Sequence, residues 1–227
     1  YSLTIKSPSS NISIINNCFN LDSTRGTQKG IHSCLISFGG TSGTINNVKI
    51  VNNNMVAKSN LIHNQALLNF SAPTGTVLSN IEYVNNLNIE NAGFCVSRWI
   101  KVDNTTGQFS KFSNNIWPLR LGKVDFAVIG GTLKDWDYWV SANKESNTQQ
   151  CDILIDDVLM IYKNKLLVSK YPELIINSLF HHAASKDIND DTRSFVSQYG
   201  VGAARPIFSS IFASGSMTVS SALTART

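Results

Sequence analysis

A short block of apolar and polar positions recurs along the chain. It runs apolar, any residue, two apolar residues, then a pair of small polar turn formers. It reads Ile12-Ser13-Ile14-Ile15-Asn16-Asn17, returns as Val48-Lys49-Ile50-Val51-Asn52-Asn53, and again as Ile81-Glu82-Tyr83-Val84-Asn85-Asn86. Degenerate copies are Phe126-Ala127-Val128-Ile129-Gly130-Gly131 and Leu174-Ile175-Ile176-Asn177-Ser178. Looser ones are Phe112-Ser113-Asn114-Asn115 and Leu154-Ile155-Asp156-Asp157. A second repeat lies between the blocks. Cys34-Leu35-Ile36-Ser37-Phe38, running on to Gly43-Thr44, matches Ala66-Leu67-Leu68-Asn69-Phe70, running on to Gly75-Thr76.

The interval between blocks is 36 residues from Asn16 to Asn52 and 33 from Asn52 to Asn85, then shortens. Helical repeats need a near-constant length, whereas stacked strands tolerate loops of different lengths between them. Two-residue alternation puts Ile12 with Ile14, Val48 with Ile50, and Ile81 with Tyr83 on one face, leaving Ser13, Lys49 and Glu82 on the other. Asn tolerates the left-handed backbone that a sharp corner requires. Asn side chains stacked one coil apart hydrogen-bond in a ladder, as amides do in cross-β stacks. The pattern therefore predicts an all-β chain folded as a parallel β-helix of about seven coils over residues 1–182. At ~4.8 Å per coil such a rod is roughly 30 Å long.

The predicted strands begin with Tyr1–Lys6, Asn11–Asn17 and Cys18–Asn20. Later coils read Val124–Gly131, Thr132–Trp136 and Tyr138–Ala142, then Cys151–Asp157, Val158–Lys163 and Leu166–Lys170. After His182 the pattern breaks. Residues 183–227 are expected to form a C-terminal cap, or an oligomer-forming element, because an open solenoid end is an exposed sheet edge.

Composition narrows the function classes. The chain has 227 residues, of which 25 are Asn and only 15% are charged, against about 25% charged in an average soluble protein. Net charge is +4, but the basic residues are scattered; with no basic stripe or aromatic RNA-binding motif, nucleic-acid binding is not expected. No apolar run reaches the ~18 residues of a membrane span, and no basic-then-apolar leader opens the chain. Beginning at Tyr1, the chain reads as a fragment or a processed product. Cys18, Cys34, Cys95 and Cys151 lie far apart and are expected to be buried thiols, not a metal cluster. No cofactor and no metal are expected. His32 with His63, His181 with His182, Asp156 with Asp157, and the acidic loop at Asp187, Asp190 and Asp191 all lack ligand spacing.

The recurring Ile-x-Ile-Ile-Asn-Asn block resembles the coil signature of right-handed β-helix proteins of the pectin-lyase type. Among them the Asn/Ser/Thr-rich, irregular coils look most like a bacteriophage tailspike or capsule depolymerase. The resemblance covers roughly residues 1–182. It implies a homotrimer on a virion, outside the host cell, that binds and often cleaves a bacterial surface polysaccharide. No pectate-lyase catalytic motif stands in the chain, so no family active-site residue is carried over. The residues before the corners, Ile15, Val51, Val84, Ile129 and Ile176, point outward by strict alternation. That stripe is expected to pack against a symmetry mate or a covering loop, the competing reading being that strand parity shifts before the corner and puts these residues inside.

Candidate chemistry concentrates in Lys134-Asp135-Trp136-Asp137-Tyr138-Trp139. Sugars are gripped by aromatic faces and fixed by carboxylates, amides and guanidinium groups. Trp99, Lys101, Arg120, Trp136 and Trp139 are the expected substrate-binding residues, with Trp99, Lys101 and Arg120 outward on neighbouring coils. Glycosidic cleavage asks for two carboxyl groups. Asp135 and Asp137, two apart on a strand and so roughly 7 Å apart on one face, are the catalytic candidates, with Glu145 a third. The competing reading has Trp136 and Tyr138 filling the core and both Asp as solvated turn residues. Three functions stay open: a glycan-binding and glycan-cleaving tailspike, a non-catalytic glycan-binding or structural fibre segment, and a secreted polysaccharide lyase.

Overall fold

The computed structural model describes residues 3–21, 34–57, 66–72, 74–90, 98–102, 108–119, 126–142 and 144–151, and short strands at 159–162, 165–168, 175–176 and 199–200. The first nine strands run β1 (Leu3–Lys6), β2 (Ser9–Ile15), β3 (Cys18–Leu21), β4 (Ile36–Gly39), β5 (Gly43–Val51), β6 (Asn54–Ala57), β7 (Leu68–Phe70), β8 (Thr76–Val84) and β9 (Leu87–Glu90). Then come β10 (Ile100–Val102), β11 (Phe109–Ser113), β12 (Ile116–Pro118), β13 (Ala127–Ile129), β14 (Thr132–Lys134), α1 (Trp136–Ser141) and β15 (Gln149–Cys151).

These strands wind as a parallel β-solenoid. Every third strand returns to the same sheet. One sheet stacks β1-β4-β7-β10-β13, a second β2-β5-β8-β11, and a third β3-β6-β9-β12-β15. The repeats predict this register. Ile36 pairs with Leu68 and Ser37 with Asn69, while Ile12, Val48 and Ile81 stand in one row and Ile14, Ile50 and Tyr83 in the next.

Alternation fills the interior. Ile14, Ile50 and Tyr83 join Phe38, Phe70, Trp99, Trp117 and Phe126 in one central cluster, while Ser13 and Lys49 are exposed. Each such aliphatic side chain contributes on the order of 1.5–3 kcal/mol on burial. Aromatic rings run along the interior edge to face: Tyr83 meets Phe112 at 5.4 Å, and Phe112 meets Trp139 at 5.5 Å. Such pairs add to their area burial.

The corners are made by asparagine. Asn16, Asn52, Asn85, Asn114 and Asn147 have φ of 57°, 54°, 56°, 57° and 51°, the left-handed region that Asn reaches at low cost. A second set, Asn11, Asn47 and Asn80, has φ of 57°, 56° and 50° within the second sheet.

Several expectations are corrected. Among the described residues each sheet stacks four or five parallel strands, short of the seven coils expected. The Phe126–Gly131 block is not an Asn-corner copy, because its strand belongs to the first sheet beside β10. Gly130 and Gly131, at φ 54° and 82°, turn it straight back into antiparallel β14. The expected strand Tyr138–Ala142 is instead part of helix α1. Strands were also expected at Val158–Lys163 and Leu166–Lys170. There, β16 (Leu159–Tyr162) and β17 (Lys165–Val168) form an antiparallel hairpin, so they do not continue the coil. Further on, β18 (Ile175–Ile176) pairs antiparallel with β19 (Tyr199–Gly200). Otherwise the proposed cap at 183–227 lies outside the described residues.

The outward apolar stripe does not face solvent. Val51 and Val84 lie outside the central cluster, yet are 2% and 0% exposed, covered by the same chain, and Ile129 belongs to the interior. Only Ile15 is exposed, at 38%; of Ile176 only the backbone is described. The stripe therefore gives no reason for a symmetry mate. Cys34 is buried as expected, but Cys18 is exposed. Cys95 lies outside the described residues, and of Cys151 only the backbone is described.

Candidate functional site

The second asparagine of each corner turns its side chain into the solenoid and builds a continuous row. Asn53 Oδ1 accepts from the backbone N–H of Asn17 at 2.9 Å and from its side-chain amide at 3.2 Å. Asn86 Oδ1 does the same for Asn53 at 2.9 and 3.0 Å, and Asn115 Oδ1 for Asn86 at 2.8 and 3.1 Å. The amides of Asn53, Asn86 and Asn115 also donate to the carbonyls of Ile14, Ile50 and Tyr83 in the coil before. Asn53, Asn86 and Asn115 are fully buried, and each bond removes a buried polar group that would otherwise be costly.

The row ends on Glu145. Register places Thr148 opposite Asn115, since Ser113 faces Ser146 and Ile116 faces Gln149. Threonine has no side-chain carbonyl, and the Thr148 hydroxyl donates to the Asn115 carbonyl at 3.4 Å, so Glu145 fills that place. Its Oε1 accepts from the Asn115 backbone at 3.2 Å and the Asn115 amide at 2.7 Å. Its Oε2 accepts from the indole N–H of Trp117 at 2.8 Å and of Trp139 at 3.2 Å. Four donors thus meet one carboxylate, which has about four lone-pair sites. Burial nevertheless pushes its pKa up from 4.5 to about 7, against the lowering effect of these hydrogen bonds. Its charge, after burial, also helps raise the Tyr83 phenol.

Glu145 is 6% exposed, with its acceptor sites occupied. It has no free lone pair to offer a substrate. Trp99 and Trp139 are 0% and 1% exposed and belong to the core. Neither presents a ring face outward, which corrects the expectation that they grip a sugar. Trp99 lies just before β10, outside its alternation, and packs edge-on against Trp117 at 5.9 Å. Lys101 is half-buried on β10, in the row of Asn69 and Val128. It lowers the pKa of the Cys34 thiol, which burial raises more strongly. Arg120 lies outside the described residues.

The remaining candidates lie on the one segment that joins β14 to α1. Asp135 is not on a strand: it caps α1, its Oδ1 accepting from the Tyr138 backbone N–H at 2.8 Å. Asp137 sits exposed in the first turn of α1, so the strand spacing argued for the pair does not apply. Trp136 is half-buried, edge-on to Phe126 at 5.0 Å. Tyr138 is 38% exposed, with Lys134 Nζ 4.2 Å from its ring centroid. Leu133 and Val140 are exposed beside them in sequence. One aromatic ring, one cation and two carboxylates are thus carried within five residues, from the end of an antiparallel hairpin into a capped helix.

Among the described residues no group of three or more metal-ligating side chains occurs, and no helix is long and apolar enough to cross a membrane. No family model, curated protein or solved structure matches this chain.

Proposed function

We propose that the chain is a glycan-binding β-solenoid of the tailspike type, a right-handed pectin-lyase-like coil carried as a homotrimer on a phage virion and directed at a bacterial surface polysaccharide. The observation that supports this reading is the exposed ridge Lys134–Tyr138. A tyrosine ring with a cation against it, flanked by the carboxylates of Asp135 and Asp137 and the half-buried Trp136, offers both apolar contact and hydroxyl-fixing groups. Such groups bind best when mounted on rigid elements. The trimer and the virion rest on the resemblance of the coil block alone.

Binding without cleavage is the better-supported form. Asp135 is engaged as a helix cap and Glu145 is sealed among four donors, which leaves Asp137 as the one free carboxylate of the three. Two carboxyl groups are the usual requirement for glycoside hydrolysis.

Purified capsular polysaccharides and lipopolysaccharides provide the test, by calorimetry and by assay for new reducing ends or unsaturated uronates. The expected result is binding that Tyr138→Ala weakens on the order of ten-fold, with no product formed. Binding of no glycan, or binding indifferent to Tyr138, overturns the proposal; product formation restores the cleaving alternative.

A further inference from the structure

Glu145 joins the last full coil to α1 through one carboxyl group. Its Oε1 accepts from the backbone and the side chain of Asn115, and its Oε2 from the indoles of Trp117 and Trp139. Asn115 belongs to the buried asparagine row, and Trp117 lies in β12, which is paired with β9 and β15. Trp139 belongs to a helix of six residues outside every sheet. Among the described residues of 135–144 the backbone hydrogen bonds stay local: Trp139 to Asp135, Ala142 to Tyr138 and Lys144 to Trp139. The helix is held to the coil by the Trp136 and Trp139 rings against Phe112 and Phe126, and by the indole bond to Glu145.

All four bonds come from N–H donors, which suits the ionised carboxylate and its roughly four lone-pair sites. A protonated carboxyl loses one of those sites and gains an O–H, which then points at a donor. One bond must give way. Releasing Asn115 opens the dry row, and releasing Trp117 moves a strand paired on both sides. Releasing Trp139, whose 3.2 Å bond is the longer of the two at Oε2, asks only that a short helix shift.

We propose that Glu145 is a proton-driven latch: a proton taken from solvent forms an O–H at Oε2, the Trp139 indole lets go and α1 loosens, while Asn115 and Trp117 stay bound. Burial, against the four hydrogen bonds, places the titration at about 7. The charged and titratable groups on the surrounding elements do not compete for the carboxyl. Tyr83 of β8 donates its hydroxyl to Asn88 Oδ1 at 2.6 Å. Glu82 and Lys111 stand in one row on the outer side of the second sheet, both half-buried. Asp135, Asp137 and Lys144 are exposed, and Lys134 sits over the Tyr138 ring. Resting on the glycan-binding reading, the latch also regulates that site, because Asp137 and Tyr138 ride on α1.

The test follows the indole N–H resonances of the isotope-labelled full chain from pH 8 to pH 5, with Trp117 and Trp139 assigned through Trp117→Phe and Trp139→Phe. On acidification the Trp139 resonance should move upfield and exchange with water on the order of ten-fold faster, with a midpoint near 7. The Trp117 resonance should stay in place. In Glu145→Gln the Trp139 indole should exchange fast at both ends of the range; the wild-type titration decides even if that variant does not fold. Both indoles moving together, neither moving, or release of Trp139 on the alkaline side overturns the proposal. Capsular polysaccharides and lipopolysaccharides, titrated over the same range, should bind more weakly in acid. An indole that responds while no glycan binds upholds the latch and overturns the glycan reading alone.

Discussion

Glu145 stands 2.7 Å from the side-chain amide of Asn115 and completes from the far side a row whose other acceptors are all asparagines. A carboxamide there would accept from Asn115 through its one oxygen but would turn its NH2 toward the indole N–H of Trp117 or Trp139, donor against donor. Only a group with two acceptor atoms joins the row to both tryptophans. The same carboxylate thereby fastens α1, through Trp139, to the last full coil.

That position makes stability depend on pH. Unfolded, the Glu145 carboxyl loses its proton near 4.5; folded, near 7. Between these values the folded protein holds more proton than the unfolded chain, so stability falls as pH rises through the window. The full loss is about 3 kcal/mol, at ~1.4 kcal/mol per pKa unit. Urea denaturation at pH 5 and pH 8 should therefore find the protein more stable at pH 5. Glu145→Gln, which does not titrate, should flatten that slope. Trp117→Phe, by removing a donor that favours the charged form, should move the transition to higher pH.

Along the row the cost of deletion should follow burial. Asn86→Ala leaves the Asn53 N–H, the Ile50 carbonyl and Asn115 Oδ1 short of partners in a dry interior. The expected loss is about 3 kcal/mol or more. Asn17→Ala, at the exposed end, should cost under about 1 kcal/mol. Equal costs in chemical denaturation would mean the row contributes through its backbone corners alone.

The corners themselves are tested at Asn80, which is exposed and has φ of 50°. Asn80→Gly should be nearly neutral, whereas Asn80→Ala should cost about 1 kcal/mol, because only glycine and asparagine enter this region cheaply. A denaturation midpoint that treats both substitutions alike would contradict the left-handed assignment.

Asp135 separates a cap from a catalyst. Asp135→Asn keeps an oxygen for the Tyr138 N–H and should leave stability almost unchanged; Asp135→Ala should cost about 1 kcal/mol and fray α1. Far-ultraviolet circular dichroism with thermal melting reads both. Loss of glycan binding in Asp135→Asn, with the helix intact, would show the charge to be a contact in its own right.

The solenoid was readable in the chain because Ile12, Val48 and Ile81 repeat in phase with their Asn pairs, and stacking makes phase and register the same thing. Ser113-Asn114-Asn115 was visible for the same reason. The next coil was not, because its place in the row is taken by a glutamate three residues before Thr148, with the corner marked only by Asn147. The Phe126–Gly131 block misled, since two glycines end a hairpin as readily as a coil corner. Alternation alone reads Thr132–Trp136 and Tyr138–Ala142 as strands. What decides for a helix is Asp135, a capping residue three positions before the N–H it accepts from. The buried tryptophans were misplaced for a related reason, that aromatic residues suit a solenoid core as well as a sugar.

The most direct test of the whole account is a nuclear Overhauser measurement on the folded chain across the row Ile14, Ile50 and Tyr83. Cross-peaks between the backbones of Ile50 and Tyr83 and of Val48 and Ile81, with slowly exchanging Asn53 and Asn86 side-chain amides, are what stacked parallel coils require. Antiparallel cross-strand peaks, or Asn86 amide protons that exchange as fast as those of an exposed asparagine, would contradict it.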